Sequence, residues 1–128
     1  MNYLLDTCTF LWLISEPKKL SSEVRSLLQK TDVPCFLSVV SVWEIVVKYT
    51  LGKLPLKEDP QKLIPFQRKR HCVSSLELTE DAALHLGKLP SFHQDPFDRM
   101  LIVQALSRDC TLITPDPLIR QYPIKTLW

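Results

Sequence analysis

The sequence predicts an α/β domain in which a mostly parallel sheet is covered by helices on both faces. Three observations carry this. Short apolar, β-branched runs alternate with segments of helical periodicity along the whole chain. The 128 residues suit one domain, 1–128, with a core large enough to fold without disulfides or a structural metal. Asp6 and Asp116 fall at or just after the ends of strand-like runs, the edge where open α/β sheets bind ligands. No internal repeat, low-complexity stretch or linker divides the chain.

The elements follow in order. Residues 2–6 read as a buried strand, and Thr7 to Ile14 as a densely apolar helix. Ser21-Ser22-Glu23 is an N-cap signal, with Val24, Leu27 and Leu28 as the stripe of a second helix. Cys35-Phe36-Leu37 is a short strand, and a strong helix runs from about Val39 to Leu51, where Gly52 is placed to end it. Lys53 to Asp59 is a loop, and residues 61–70 form a helix that Pro65 weakens. Cys72 to Leu76 reads as a strand, Thr79 caps a helix to about Gly87, and Lys88 to Gln94 is a loop. Asp95-Pro96 opens a helix with Pro96 at its first position and a stripe of Met100, Leu101, Val103, Gln104 and Leu106. Thr111-Leu112-Ile113 is a strand, and Ile124 to Leu127 a last one.

Composition narrows the function. Hydrophobic content of 45% with 23% charged residues is that of an ordinary folded protein rather than a disordered one. A net charge of +2 argues against nucleic-acid binding by bulk charge alone. A local basic patch at Arg68-Lys69-Arg70-His71 stays open, with Lys18-Lys19, Lys53 and Lys57 as weaker ones. Cys8, Cys35, Cys72 and Cys110 form no short-spaced metal pair and read as free buried thiols, which favours a reducing cytoplasm. The N-terminus lacks a basic leader, and no apolar run approaches the roughly 18 residues of a membrane span.

The chemistry lies in the acids. Carboxylates are rarely buried unless paired or bound to a metal. Yet Asp6 ends an apolar run, Glu44 sits within Val39 to Val47, Asp98 opens the pattern Met100-Leu101-Ile102-Val103, and Asp116 follows Thr111 to Thr114. Asp6 could cap the following helix, and Asp116 sits in a turn-like Thr114-Pro115-Asp116-Pro117. Glu44 shares a helix face with Val40, Val47 and Leu51. An i, i+4 pair with Lys48 gains only about 0.2–0.5 kcal/mol, too little to offset burial of a charge. In Asp95-Pro96-Phe97-Asp98-Arg99, Asp95 is the expected cap and Asp98, three positions on, points inward; Arg99 could meet a phosphate or Asp95.

Two carboxylates about 4 Å apart repel by roughly 4 kcal/mol at an effective dielectric near 20. Several together must be neutralised, and oxygen-only ligands suit Mg²⁺ or Mn²⁺. Such an ion activates water and stabilises charge on a phosphoryl oxygen, which implies phosphodiester hydrolysis. A glycine-rich phosphate loop is excluded, since the only glycines are Gly52 and Gly87. His71, His85 and His93 show no metal spacing, and His93 reads as a loop residue. Cys8 has no evident histidine partner and reads as helix core.

The chain resembles the PIN-domain ribonucleases, in particular VapC-type toxins of bacterial toxin–antitoxin pairs. The resemblance rests on Leu4-Leu5-Asp6-Thr7, on Ser41-Val42-Trp43-Glu44-Ile45 with Lys48 and Gly52-Lys53-Leu54, and on Leu89-Pro90 with His93 to Arg99. Leu112 to Asp116 and Leu127-Trp128 complete it, across essentially the whole chain. It implies a three-layer α/β/α fold and an acidic site of Asp6, Glu44 and Asp98, with Asp116 as a less regular fourth member and Pro115 an unusual neighbour. It also implies a Thr7 hydroxyl near the metal, RNA cleavage with Mg²⁺ or Mn²⁺, a homodimer, and silencing by a cognate antitoxin. Asp6 and Asp98 would hold the metal, with Glu44 joining directly or through water. Lys48, Arg99 and Arg68 to Arg70 are the candidates to meet phosphates. The alternatives are an inactive scaffold of the same fold that binds a protein or RNA partner, and a phosphatase-like protein. The latter would usually carry a second Asp two residues after the first, where Cys8 stands.

Overall fold

The structure is a computed structural model describing residues 1–128. Five strands, β1 (Asn2–Leu5), β2 (Cys35–Ser38), β3 (Ser74–Leu76), β4 (Cys110–Ile113) and β5 (Thr126–Leu127), form one sheet. The helices are α1 (Thr7–Ser15), α2 (Ser22–Leu28), α3 (Val39–Thr50), α4 (Pro60–Arg70), α5 (Glu80–Leu84) and α6 (Pro96–Ser107), with three short 3-10 turns between. The strand order is β3-β2-β1-β4-β5, and every neighbouring pair is parallel. The chain therefore leaves β1 in one direction for β2 and β3, then returns to its other side for β4. Crossovers diverge there, so a crevice opens beyond the carboxyl ends of β1 and β4.

Side-chain alternation along the strands divides the interior in two. Leu4 and Leu112 pack on one face of the sheet with Leu101, Ile102, Ile119 and Tyr122. Leu5 and Ile113 pack on the other with Phe10, Val24, Leu37 and Ile45. Each such fully buried apolar side chain contributes about 1.5–3 kcal/mol. The result is the expected three-layer α/β/α arrangement.

Local physics also accounts for departures from the sequence reading. The strand expected from Cys72 starts only at Ser74, because Cys72 has φ 57° in the turn that leaves α4. Cys72 is consequently exposed, not a buried thiol. The helix capped by Thr79 ends at Leu84 and continues as a 3-10 turn, His85–Lys88. Pro65 lies inside α4 without ending it, since only one intrahelical hydrogen-bond donor is lost. On α6 the buried stripe is Leu101 to Ala105, and Leu106 is exposed. Gly52 takes φ 73° just beyond α3, the left-handed conformation expected of a helix-ending glycine. No helix is long and apolar enough to cross a membrane.

Candidate active site

The first half of the site is built by the two chain segments that leave β1 and β2. Asp6 caps α1, and its Oδ1 accepts the Thr9 backbone N–H at 2.7 Å. The Asp6 N–H itself donates to Ile113 O, and Thr9 Oγ1 donates to the same carbonyl, so the cap is tied to the end of β4. Asp6 is only 4% exposed. Burial raises its carboxyl above the usual range, hydrogen bonding from Thr114 and Thr9 pulls it back, and Asp116 pushes it further up.

Thr7, the first residue of α1, turns its hydroxyl to α3. It donates to Glu44 Oε1 at 2.7 Å and lies 2.9 Å from Ser41 Oγ. The other Glu44 oxygen accepts Lys48 Nζ at 2.5 Å, one helical turn on. The Lys48 pair does form, but it leaves Glu44 buried, and the Thr7 contact is what spans the two helices. The hydrogen bond to Glu44 holds the Lys48 ammonium above its ordinary range. Ser38 caps α3 and hydrogen-bonds Gln104 of α6, whose amide donates to Glu77 O. This buried link sets α3 against α6, and therefore Glu44 against Asp98.

The second half comes from the loop before α6 and the turn after β4. Asp95 caps α6, accepting the N–H groups of Phe97 at 2.8 Å and Asp98 at 3.2 Å. Asp98 is thereby free of capping and turns toward the crevice, as its position predicts. Its Oδ2 lies 3.0 Å from His93 Nε2, and so does Asp116 Oδ2. Ligand-type atoms of His93, Asp98 and Asp116 all fall within 4.8 Å of one another. Burial, then the charges of Asp95, Glu44 and Asp6, push the Asp98 carboxyl up to about 7 against the pull of His93. Pro115 does not misdirect its neighbour. The Asp116 N–H reaches Thr114 Oγ1, and Asp116 Oδ1 caps Leu118 at 2.8 Å.

The acids named from the sequence thus meet through their fields: Asp98 feels Glu44 and Asp6, and Asp6 feels Asp116. His93 is the residue that sequence reasoning missed. It lies in the loop before α6, as read, but its side chain is buried in the site. Its signal was its place two residues before the helix cap Asp95. Arg99 is engaged within the protein. Its guanidinium donates to Leu86 O, Pro90 O, His93 O and Tyr122 Oη, which ties the loop to α6. Arg68 to Arg70 end α4 just before β3 begins, at the opposite end of the sheet from the acids. Arg70 and His71 line a 540 Å³ groove there, and Lys48 is left as the basic residue paired within the site. Cys8 adjoins the acids, but burial pushes its thiol up to about 11, which keeps it protonated.

The residues present fit a hard divalent cation. Oxygen donors dominate, and the half-buried Asp98 carboxyl is crowded by others with no lysine or arginine ion-paired to it. Comparison with known proteins is consistent with this chemistry. A curated relative, Ribonuclease VapC16 of Mycobacterium tuberculosis, is 39% identical over 54 residues, which is 42% of this chain and 38% of the relative's length. Solved structures share the fold. VapBC2 from Rickettsia felis bound to a DNA fragment has TM-score 0.75 at 18% identity, covering 100% of this chain and 99% of that one. DNA-bound VapBC from Salmonella typhimurium has TM-score 0.71 at 20% identity, covering 99% and 97%. VapBC-1 from nontypeable Haemophilus influenzae has TM-score 0.69 at 22% identity, with the same coverage. Residues 3–125 match the PIN domain family model, and the chain belongs to the PIN domain family.

Proposed function

We propose that this PIN domain is a divalent-metal-dependent endoribonuclease acting as the toxin of a toxin–antitoxin pair. The observation that carries the reading is the crowding of carboxyl groups at the crevice where β1 and β4 end, with Asp98 and Asp116 each 3.0 Å from His93 Nε2 and Asp6 buried at the end of β1. A family member whose similar relative is named a ribonuclease gives that crowding a purpose. Asp6 and Asp98 are the proposed ligands, with Asp116 beside them. Bound among them, Mg²⁺ or Mn²⁺ would activate water and stabilise charge on a phosphoryl oxygen. Glu44 is held by Thr7 and Lys48 and shapes the wall of the site. Lys48 is 46% exposed beside it and can meet an RNA phosphate without leaving Glu44. With few free cations at the site, such a protein would read RNA by shape and by a few positioned contacts.

A protein partner is supported by exposed apolar side chains at helical spacing on α3, Trp43 and Val46, with Leu51 just beyond it and Phe66 on α4. Uncovered, such side chains mark interaction surfaces. They are the proposed contacts for an antitoxin or a second copy of the chain.

The test is incubation of a mixed cellular RNA pool with purified protein and Mn²⁺ or Mg²⁺, beside Asp98→Asn prepared identically. Metal-dependent cleavage lost in the variant supports the proposal. Release of phosphate from small esters without RNA cleavage would replace it with a phosphatase. Equal cleavage by both proteins would remove Asp98 from the site.

A further inference from the structure

His93, Asp98 and Asp116 form a compact group whose simplest reading is three metal ligands. The hydrogen bonds on the far side of the imidazole argue otherwise. The Asp95 backbone N–H donates to His93 Nδ1 at 3.1 Å. Nδ1 is therefore an acceptor, and the ring proton belongs on Nε2. Nε2 faces two acceptors, Asp98 Oδ2 and Asp116 Oδ2, each at 3.0 Å. One N–H is thus shared between two carboxylates, the imidazole giving its only donor to both. For Nε2 to bind a cation, its proton would have to move to Nδ1, where it would meet the Asp95 N–H donor.

The rest of the loop is built to hold this orientation. The His93 N–H donates to Tyr122 Oη at 2.9 Å, and Tyr122 Oη donates to Pro90 O at 2.8 Å. Arg99 donates to His93 O and to Tyr122 Oη from α6. Tyr122 is 3% exposed, so the phenol is an interior anchor and not a surface contact. The imidazole is thus fixed through its own backbone on both sides and through Nδ1.

We propose that His93 is a positioning residue: as an Nε2–H donor it holds Asp98 and Asp116 side by side to receive a divalent cation, and it is not itself a ligand. The cation part of this inference rests on the function proposed above; the bracing of the two carboxylates does not. Groups that orient metal-binding side chains from behind typically change affinity 10–100-fold when removed.

The test uses the full chain labelled with ¹⁵N-histidine. Long-range ¹H–¹⁵N spectra report the tautomer of His93 without metal and with Mg²⁺, and calorimetry gives Mn²⁺ affinity for wild type, His93→Gln and His93→Ala. The expected result is the Nε2–H tautomer in both conditions, because the Asp95 N–H contact persists. His93→Ala should bind Mn²⁺ about tenfold more weakly or worse. His93→Gln keeps an N–H donor and should recover most of that loss. A metal-free Nδ1–H tautomer overturns the brace. A switch from Nε2–H to Nδ1–H on adding Mg²⁺ makes His93 a ligand and overturns the proposal. If wild type binds no divalent ion, the proposed function fails, while the metal-free tautomer still decides whether His93 braces the carboxylates.

Discussion

The two halves of the acidic crevice handle charge differently. At the α1–α3 half, Glu44 is 5% exposed, yet both its oxygens are engaged, one by the Thr7 hydroxyl and one by the Lys48 ammonium. At the α6–β4 half, Asp98 and Asp116 share a single imidazole N–H, and Asp98 is pushed up to about 7. One half is neutralised by the chain itself. The other gathers carboxyl groups around a single donor, with no basic side chain ion-paired to them. A fold tolerates such an uncompensated group where function requires it. The contrast teaches that burial alone does not mark a ligand. Glu44 is more buried than Asp98 but better satisfied, so the demand for a cation is greater at Asp98.

Four perturbations would break or sharpen this contrast. The largest effect is expected from Asp98→Asn, which should reduce metal-dependent RNA cleavage by roughly 10²–10³-fold, the range for one preorganised electrostatic group. Cleavage assays at equal protein concentration check it. Thr7→Val should act on the opposite half. It strips a buried Glu44 oxygen of its donor, at a cost of about 1–3 kcal/mol, readable by urea unfolding. A Thr7→Val protein as stable as wild type would mean that Glu44 is not satisfied by that hydroxyl.

The third concerns pH. The folded protein holds the Asp98 proton to about pH 7, whereas its ordinary value is 3.8. Between those values the folded state binds more protons than the unfolded chain, so this group's contribution to stability is full below 3.8 and is lost as pH rises to about 7. Metal-free Asp98→Asn should therefore gain on wild type as pH rises through that window and hold a constant difference above it. Unfolding curves at several pH values without metal show the trend or its reverse. The smallest effect is expected from Lys48→Gln. Its partner retains Thr7 and the lysine is half exposed, so the loss should stay at or below about 1 kcal/mol.

Much of this was legible in the chain. The strand–helix alternation placed the sheet, and the caps Ser21, Thr79 and Asp95 all accept the helix-starting N–H groups they were expected to. The acids could be read because a carboxylate inside an apolar run is costly, and that cost is visible without a structure. What escaped was set by contacts distant in sequence. His93 stands in a polar loop, and only the turn after β4 brings Asp116 to its ring. Arg99 follows Asp98 like a phosphate-binding side chain, but the carbonyls of residues 86, 90 and 93 occupy it. Cys72 looked like the start of a strand because Val73 and Leu76 follow it, while its positive φ belongs to the tight exit from α4. Hydrophobic pattern predicts burial well and says little about which loop folds back on which helix.

The most direct test of the contrast is a Mg²⁺ titration followed through the side-chain carboxyl ¹³C resonances of Asp6, Glu44, Asp98 and Asp116. The account expects Asp98 and Asp116 to move most, Asp6 with them at one dissociation constant, and Glu44 to move least, held by Thr7 and Lys48. A largest shift at Glu44, with Asp98 unmoved, would contradict it.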